Sequence, residues 1–110
     1  MKISAHDLTC IQQVEELITK NITNDYSISI LSQKVGINED KLKKGFKHVY
    51  GHPVFMYLRI KKLERAKSLL EETKLTEAAI AKKVGFKSLP SFIKAFKKKY
   101  NQLPNTFRSQ

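Results

Sequence analysis

The sequence holds one cysteine, no tryptophan, three prolines and four glycines among its 110 residues. A single thiol, Cys10, excludes an internal disulfide framework and is what a reducing compartment permits. Nowhere do about 18 apolar residues run together, so no membrane span is expected, and the opening Met1-Lys2-Ile3-Ser4-Ala5-His6-Asp7 lacks a signal-peptide core. The protein is therefore expected to be soluble and cytoplasmic, with no membrane partner. Strand patterning is scarce too: no stretch of four or more residues alternates cleanly between apolar and polar with β-branched enrichment. Catalytic signatures are missing. There is no phosphate-binding glycine loop, no GxSxG and no carboxylate or Cys/His constellation, so neither an enzyme nor a cofactor is expected. His6 and Cys10 are four apart, a spacing that can hold a metal on a helix, but no second pair completes a site, and none is expected there or at His48 and His52.

Acids are the scarcest charged class, ten against 21 Lys and Arg, for a formal charge of +11. The imbalance is local. Residues 1–37 carry three lysines against four acids, while residues 38–110 carry eighteen Lys and Arg against six. A polyanionic partner is thus met by the C-terminal two thirds. Hydrophobic residues make up 41% and are spread along the chain, enough for a core and unlike a disordered basic tail.

Helical period accounts for most of the chain, which reads as all-α. Ile11, Val14, Leu17 and Ile18 mark a helix over about 7–19, followed by a polar loop at 21–25. Ser27 is placed to cap a short helix through Val35, with Leu31 and Val35 facing inward, and Gly36 closes it. Asn38 caps the next helix, with Glu39 and Asp40 in its first turn; Leu42, Phe46 and Tyr50 form its apolar stripe, beside Val49, up to Gly51. A long helix covers 53–72, with Phe55, Leu58, Leu63, Ala66, Leu69 and Leu70 as its apolar side. Thr76 and Ser88 cap two further helices, and Pro104 opens a final turn ending near Arg108.

One unit occurs twice. Leu31-Ser32-Gln33-Lys34-Val35-Gly36-Ile37 aligns with Ile80-Ala81-Lys82-Lys83-Val84-Gly85-Phe86 at an offset of about 49, which becomes 50 after the glycine. The longer offset pairs Leu42 with Phe92, Gly45 with Ala95, Phe46 with Phe96, Lys47 with Lys97 and Tyr50 with Tyr100. Each copy is a short helix, a glycine turn and a second helix, which is the helix-turn-helix arrangement whose second helix enters the DNA major groove. Gly36 and Gly85 are its structural turn residues. The second helix must anchor one side in a core and offer donors from the other. Over 38–50 the outer arc holds Asp40, Lys43, Lys44 and Lys47; over 88–100 it holds Pro90, Ser91, Lys94, Lys97 and Lys98. The aromatics Phe46, Tyr50, Phe92, Phe96 and Tyr100 keep helical spacing with other apolar residues and so read as core. Gly45 and Ala95 are both small, which fits either close packing or a tolerated defect.

The connector is a rod of roughly 28 Å at about 1.5 Å per residue, against about 34 Å between successive groove faces. A monomer is expected to reach two segments. The three parts expected are a first helix-turn-helix subdomain (8–51), the connecting helix (53–72) and a second subdomain (74–108).

The pattern Leu31…Val35-Gly36, Leu42…Phe46-Lys47, Gly51-x-Pro53…Tyr57-Leu58…Lys62-Leu63…Ala66…Leu69-Leu70, Ile80-Ala81…Val84-Gly85-Phe86…Phe92…Phe96-Lys97…Tyr100 and Pro104-x-x-Phe107-Arg108 resembles the DNA-binding domain of the AraC/XylS transcriptional regulators over roughly residues 8–108. The resemblance implies seven helices, with two helix-turn-helix units on a long connecting helix. It also implies sequence-specific binding to double-stranded promoter or operator DNA, with activation through RNA polymerase. Its base-reading positions fall on Asp40, Lys43 and Lys44 in the first copy and on Leu89, Pro90, Ser91 and Lys94 in the second. Phosphate contacts are expected from Lys47, Lys87, Lys97 and Lys98. The family commonly has larger polar residues where Leu89 and Pro90 stand, and glycine where Asn101 stands. The near-neutral first helix, starting almost at Met1, reads as part of a piece cut from a larger regulator, a short stand-alone member being the other option. The rival from another class is a basic helical RNA-binding module that uses charge without reading sequence. Such a binder has no need of a duplicated turn.

Overall fold

The computed structural model describes residues 2–108. Among them are six α-helices, α1 (Ala5–Lys20), α2 (Ile28–Val35), α3 (Glu39–Tyr50), α4 (Val54–Glu72), α5 (Glu77–Val84) and α6 (Leu89–Tyr100), and a closing 3-10 turn (Pro104–Phe107). The all-α expectation holds, but the seventh helix is only that four-residue turn, started by a proline and too short to close an α-helical ladder. The first helix begins at Ala5, earlier than expected, because the Ser4 hydroxyl accepts from the Asp7 N–H at 3.0 Å. Two compact units make up the chain, one ending at Arg59 and one beginning at Ile60, and α4 contributes to both.

In the first unit Ile11, Val14 and Ile18 share one face of α1 and pack with Leu31 of α2, Leu42 and Phe46 of α3, and Val54 and Leu58 of α4. The rings of Phe46, Tyr50 and Tyr57 cluster with centroids 4.7 to 5.3 Å apart, and the Tyr57 hydroxyl donates to Glu15 Oε2 at 3.1 Å. Burial pushes the Tyr50 hydroxyl pKa up, with the Glu15 charge adding to it. The Cys10 thiol is a core group. It donates to the Val35 carbonyl at 3.1 Å and lies 3.6 Å from His6 Nε2.

Phe55 corrects the expected face of α4. It is 47% exposed, and Val54 is buried in its place. Val54 and Leu58 stand one turn apart and so face the core together, which rotates Phe55 about 100° away.

Gly45 is buried where α3 meets α1, and a methyl group added there would run into Ile11 Cδ1. Close packing is therefore its role. Gly45→Ala gains about 1 kcal/mol of helix propensity but incurs overpacking of about 1–3 kcal/mol, for an expected net loss of up to about 2 kcal/mol. Ile11→Val removes the obstructing Cδ1 and alone costs about 0.5–1.5 kcal/mol. Combined, the two should cost clearly less than their sum in denaturant unfolding. Strict additivity would mean that the methyl finds other room.

The second unit is built from Leu63, Ala66, Leu69 and Leu70 of α4, Ile80, Ala81 and Val84 of α5, and Phe92, Ala95 and Phe96 of α6. A run of ring contacts passes from Phe86 through Phe92 and Phe96 to Tyr100 and Phe107. The Lys67 ammonium lies 5.2 Å from the Phe107 ring centre and 5.8 Å from that of Tyr100. Arg108 donates to the Thr73 carbonyl at 3.0 Å and to that of Leu75, pinning the segment that leaves α4.

Candidate nucleic-acid interface

Each unit presents its second helix through the same local chemistry. In the first, the N–H groups of Gly36 and Ile37 both return to the Ser32 carbonyl, at 2.9 and 3.1 Å, with Gly36 left-handed at φ 78°. Ile37 is buried, and Asn38 Oδ1 then accepts from the Lys41 N–H at 2.8 Å to start α3. In the second, Phe86 N–H reaches the Ala81 carbonyl at 2.9 Å and Gly85 N–H that of Lys82 at 3.1 Å, with Gly85 at φ 98°. Ser88 Oγ caps α6 by accepting from the Ser91 N–H at 3.2 Å. One extra residue in this turn, between Gly85 and the cap, accounts for the change of offset in the repeat.

A β-branched side chain is strained in the left-handed region. Gly85→Val should therefore cost about 1–3 kcal/mol and lower the melting temperature by about 4–8 °C for each of them, together with the affinity for duplex. Unchanged melting with lost affinity would make Gly85 a point of close approach to the ligand instead.

The outer side of α3 displays Asp40, Lys43, Lys44 and Lys47, all exposed. Asp40 and Lys44 are one turn apart and paired at 3.3 Å. Lys41, not singled out in the sequence, bridges to Asp7 of α1 at 3.6 Å and fixes the start of α3 on its neighbour. On α6, Pro90, Ser91, Lys94, Lys97 and Lys98 are exposed, as is Lys87 in the turn before it. Leu89 is half-buried and packs against the core of its unit, so only part of it faces outward. The Ser91 hydroxyl accepts from that of Ser88 at 3.0 Å, which leaves its own proton to donate. Lys62 Nζ reaches the Gly85 carbonyl at 3.4 Å, placing a cation at the C-terminal end of α5. Neither Lys41 nor Lys62 has a local signal, because their partners lie 34 and 23 residues away. The two outward sets belong one to each unit.

A pair of turn-linked helices, repeated, each with a buried aromatic side and a lysine-bearing outer side on its second member, defines a tandem helix-turn-helix domain. Residues 31–110 match the family model described as a helix-turn-helix domain. The chain is 38% identical over 74 residues to the xylose operon regulatory protein of Escherichia coli K12, covering 67% of this chain and 19% of that protein. Among solved structures, the C-terminal domain of the two-component response regulator yesN from Fusobacterium nucleatum is 33% identical with TM-score 0.80, covering 92% of this chain and 99% of that one. A transcriptional regulator with an AraC-type DNA-binding domain from Chromobacterium violaceum is 26% identical with TM-score 0.84, covering 96% and 94%. The chain belongs to the AraC/XylS family of helix-turn-helix transcriptional regulators and carries that family's DNA-binding domain.

Proposed function

We propose that the chain binds promoter or operator DNA sequence-specifically as a monomer in the cytoplasm, α3 and α6 each entering a segment of major groove, and that it activates transcription through RNA polymerase. Binding rather than catalysis is its chemistry. The observation that carries the reading is the repetition itself: in both units the second helix buries Leu42 and Phe46, or Phe92 and Phe96, and exposes lysines at helical spacing on the other side. Asp40, Lys43 and Lys44 read bases in one half of the site, and Leu89, Pro90, Ser91 and Lys94 in the other. Lys47, Lys87, Lys97 and Lys98 hold phosphates. Because the two sets differ, the two half-sites differ and the site is asymmetric.

Selection of bound duplexes from a random pool, followed by titration, tests this. Binding to the selected duplex should survive an excess of unrelated duplex and exceed binding to single strands. Lys43→Ala should relax preference in one half of the site, a good base contact discriminating by about 1–3 kcal/mol. Lys97→Ala and Lys98→Ala should weaken all duplexes about equally. If Lys97→Ala altered preference more than Lys43→Ala, the assignment of faces would be wrong.

A further inference from the structure

The two units carry very unequal charge. The one ending at Arg59 has eight Lys and Arg against six acids, and the one beginning at Ile60 has thirteen against four, so +9 of the +11 lies in the second. The recognition helices repeat the contrast. Helix α6 bears Lys94, Lys97, Lys98 and Lys99 and no acid, whereas α3 bears four lysines and opens with Glu39 and Asp40. Two of those four are engaged, Lys41 by Asp7 and Lys44 by Asp40. Among the described residues, Lys94, Lys97 and Lys98 have no carboxylate within ion-pair distance.

Asp40 lies in the first turn of α3, 73% exposed, in the part of a recognition helix that meets base edges. A carboxylate offers only acceptors. Phosphates, guanine O6 and N7, and thymine O4 oppose it, and the amino groups of cytosine and adenine are the groove's donors. Lys44, one turn further on, has only donors and is best met by the paired acceptors of guanine. In the free protein the two satisfy each other. A C·G base pair offers each its own partner, cytosine N4 for Asp40 and guanine O6 and N7 for Lys44. An A·T pair gives Asp40 an amino group but denies Lys44 the guanine pair of acceptors. Resting on the DNA-binding reading above, we propose that the second unit, beside the bases read by its own recognition helix, supplies most of the sequence-independent hold by charge. The Asp40–Lys44 pair is then the selective element of the first half-site, exchanging its internal ion pair for a C·G base pair and rejecting sequences that set Asp40 against acceptors.

The full chain and its Asp40→Asn variant, each used to select duplexes from a random pool and then titrated, test the exchange. The wild type should prefer cytosine at one position by roughly tenfold or more over thymine. Asp40→Asn should lose that preference at that position alone and bind random duplex roughly three- to tenfold more tightly, as expected when a like-charge opposition is removed. Its melting temperature should stay near wild type, since the side chain is exposed. Salt titration supplies a second readout. Lys98→Ala should reduce the log–log slope by about 0.9, whereas Lys44→Ala should reduce it by less than about 0.3, because Lys44 meets a base edge and neutralises no phosphate. A wild type without salt-dependent duplex binding would overturn the DNA reading itself. A selective wild type whose preferences survive Asp40→Asn at every position, or a Lys44→Ala slope change equal to that of Lys98→Ala, would overturn the exchange and leave the DNA reading standing.

Discussion

Raising the salt from about 50 to about 200 mM should weaken binding to a selected duplex by roughly 10³- to 10⁴-fold. Each phosphate neutralised by a lysine or arginine releases condensed counterions, so log affinity falls with log salt with a slope of about −0.9 per contact. With about six to eight such contacts, the slope should lie near −5 to −7. Four of these contacts are assigned to exposed residues, three of them in the second unit, Lys87, Lys97 and Lys98, joined by Lys47 of α3, and the remainder fall to other lysines and arginines of the chain. A slope shallower than about −2 would leave room for no more than two phosphates and contradict the assignment of these faces. Fluorescence anisotropy across the salt range, on duplex and single strand in parallel, measures it directly.

Replacing Phe96 by alanine should remove most of the stability of the second unit. Phe96 is fully buried and meets Phe92, Tyr100 and Phe107 at centroid distances of 5.7, 4.6 and 5.6 Å, so its loss opens a cavity bounded by three rings. Phe→Ala at such a site costs about 3–5 kcal/mol, while a unit of this size has only about 3–8 kcal/mol in total at 0.05–0.15 kcal/mol per residue. Amide protection along α6 should therefore fall by roughly 10²- to 10⁴-fold, and duplex affinity should fall as well. Protection retained in α6 would mean that the rings close over the gap.

The features legible in the sequence are those decided within four residues of chain. Ser27, Asn38, Thr76 and Ser88 each accept from the N–H three residues on, as their positions before apolar-periodic runs foretell. The left-handed turns at Gly36 and Gly85 follow from the same local geometry, and Asn101 takes the conformation of the family's glycine at φ 58°. The facing of α4 was not legible at its start, because Val54, Phe55, Met56, Tyr57 and Leu58 are apolar in succession and leave no polar gap to orient the helix. Packing against α1 and α3 residues decides it, burying Val54 and Leu58. The outer arcs of α3 and α6 could be read from periodicity, but Leu89 could not be placed. As the first residue of α6 it leans on its unit's core, a consequence of how the turn before it folds. The hold of Arg108 on the Thr73 and Leu75 carbonyls has no local signature in the sequence for a similar reason, its partners lying 35 and 33 residues back.

The enclosure of Cys10 makes the molecule its own chemical clock. The chain's sole sulfur nucleophile is 2% exposed and committed to the Val35 carbonyl, so a thiol reagent finds it only in moments when α1 and α2 part. Labelling rate then counts the breathing of the amino-terminal half alone. The carboxyl-terminal half, which bears most of the charge and no cysteine, stays silent to the same reagent, so a native chain without any engineered tag can report whether a bound duplex quiets the amino-terminal half.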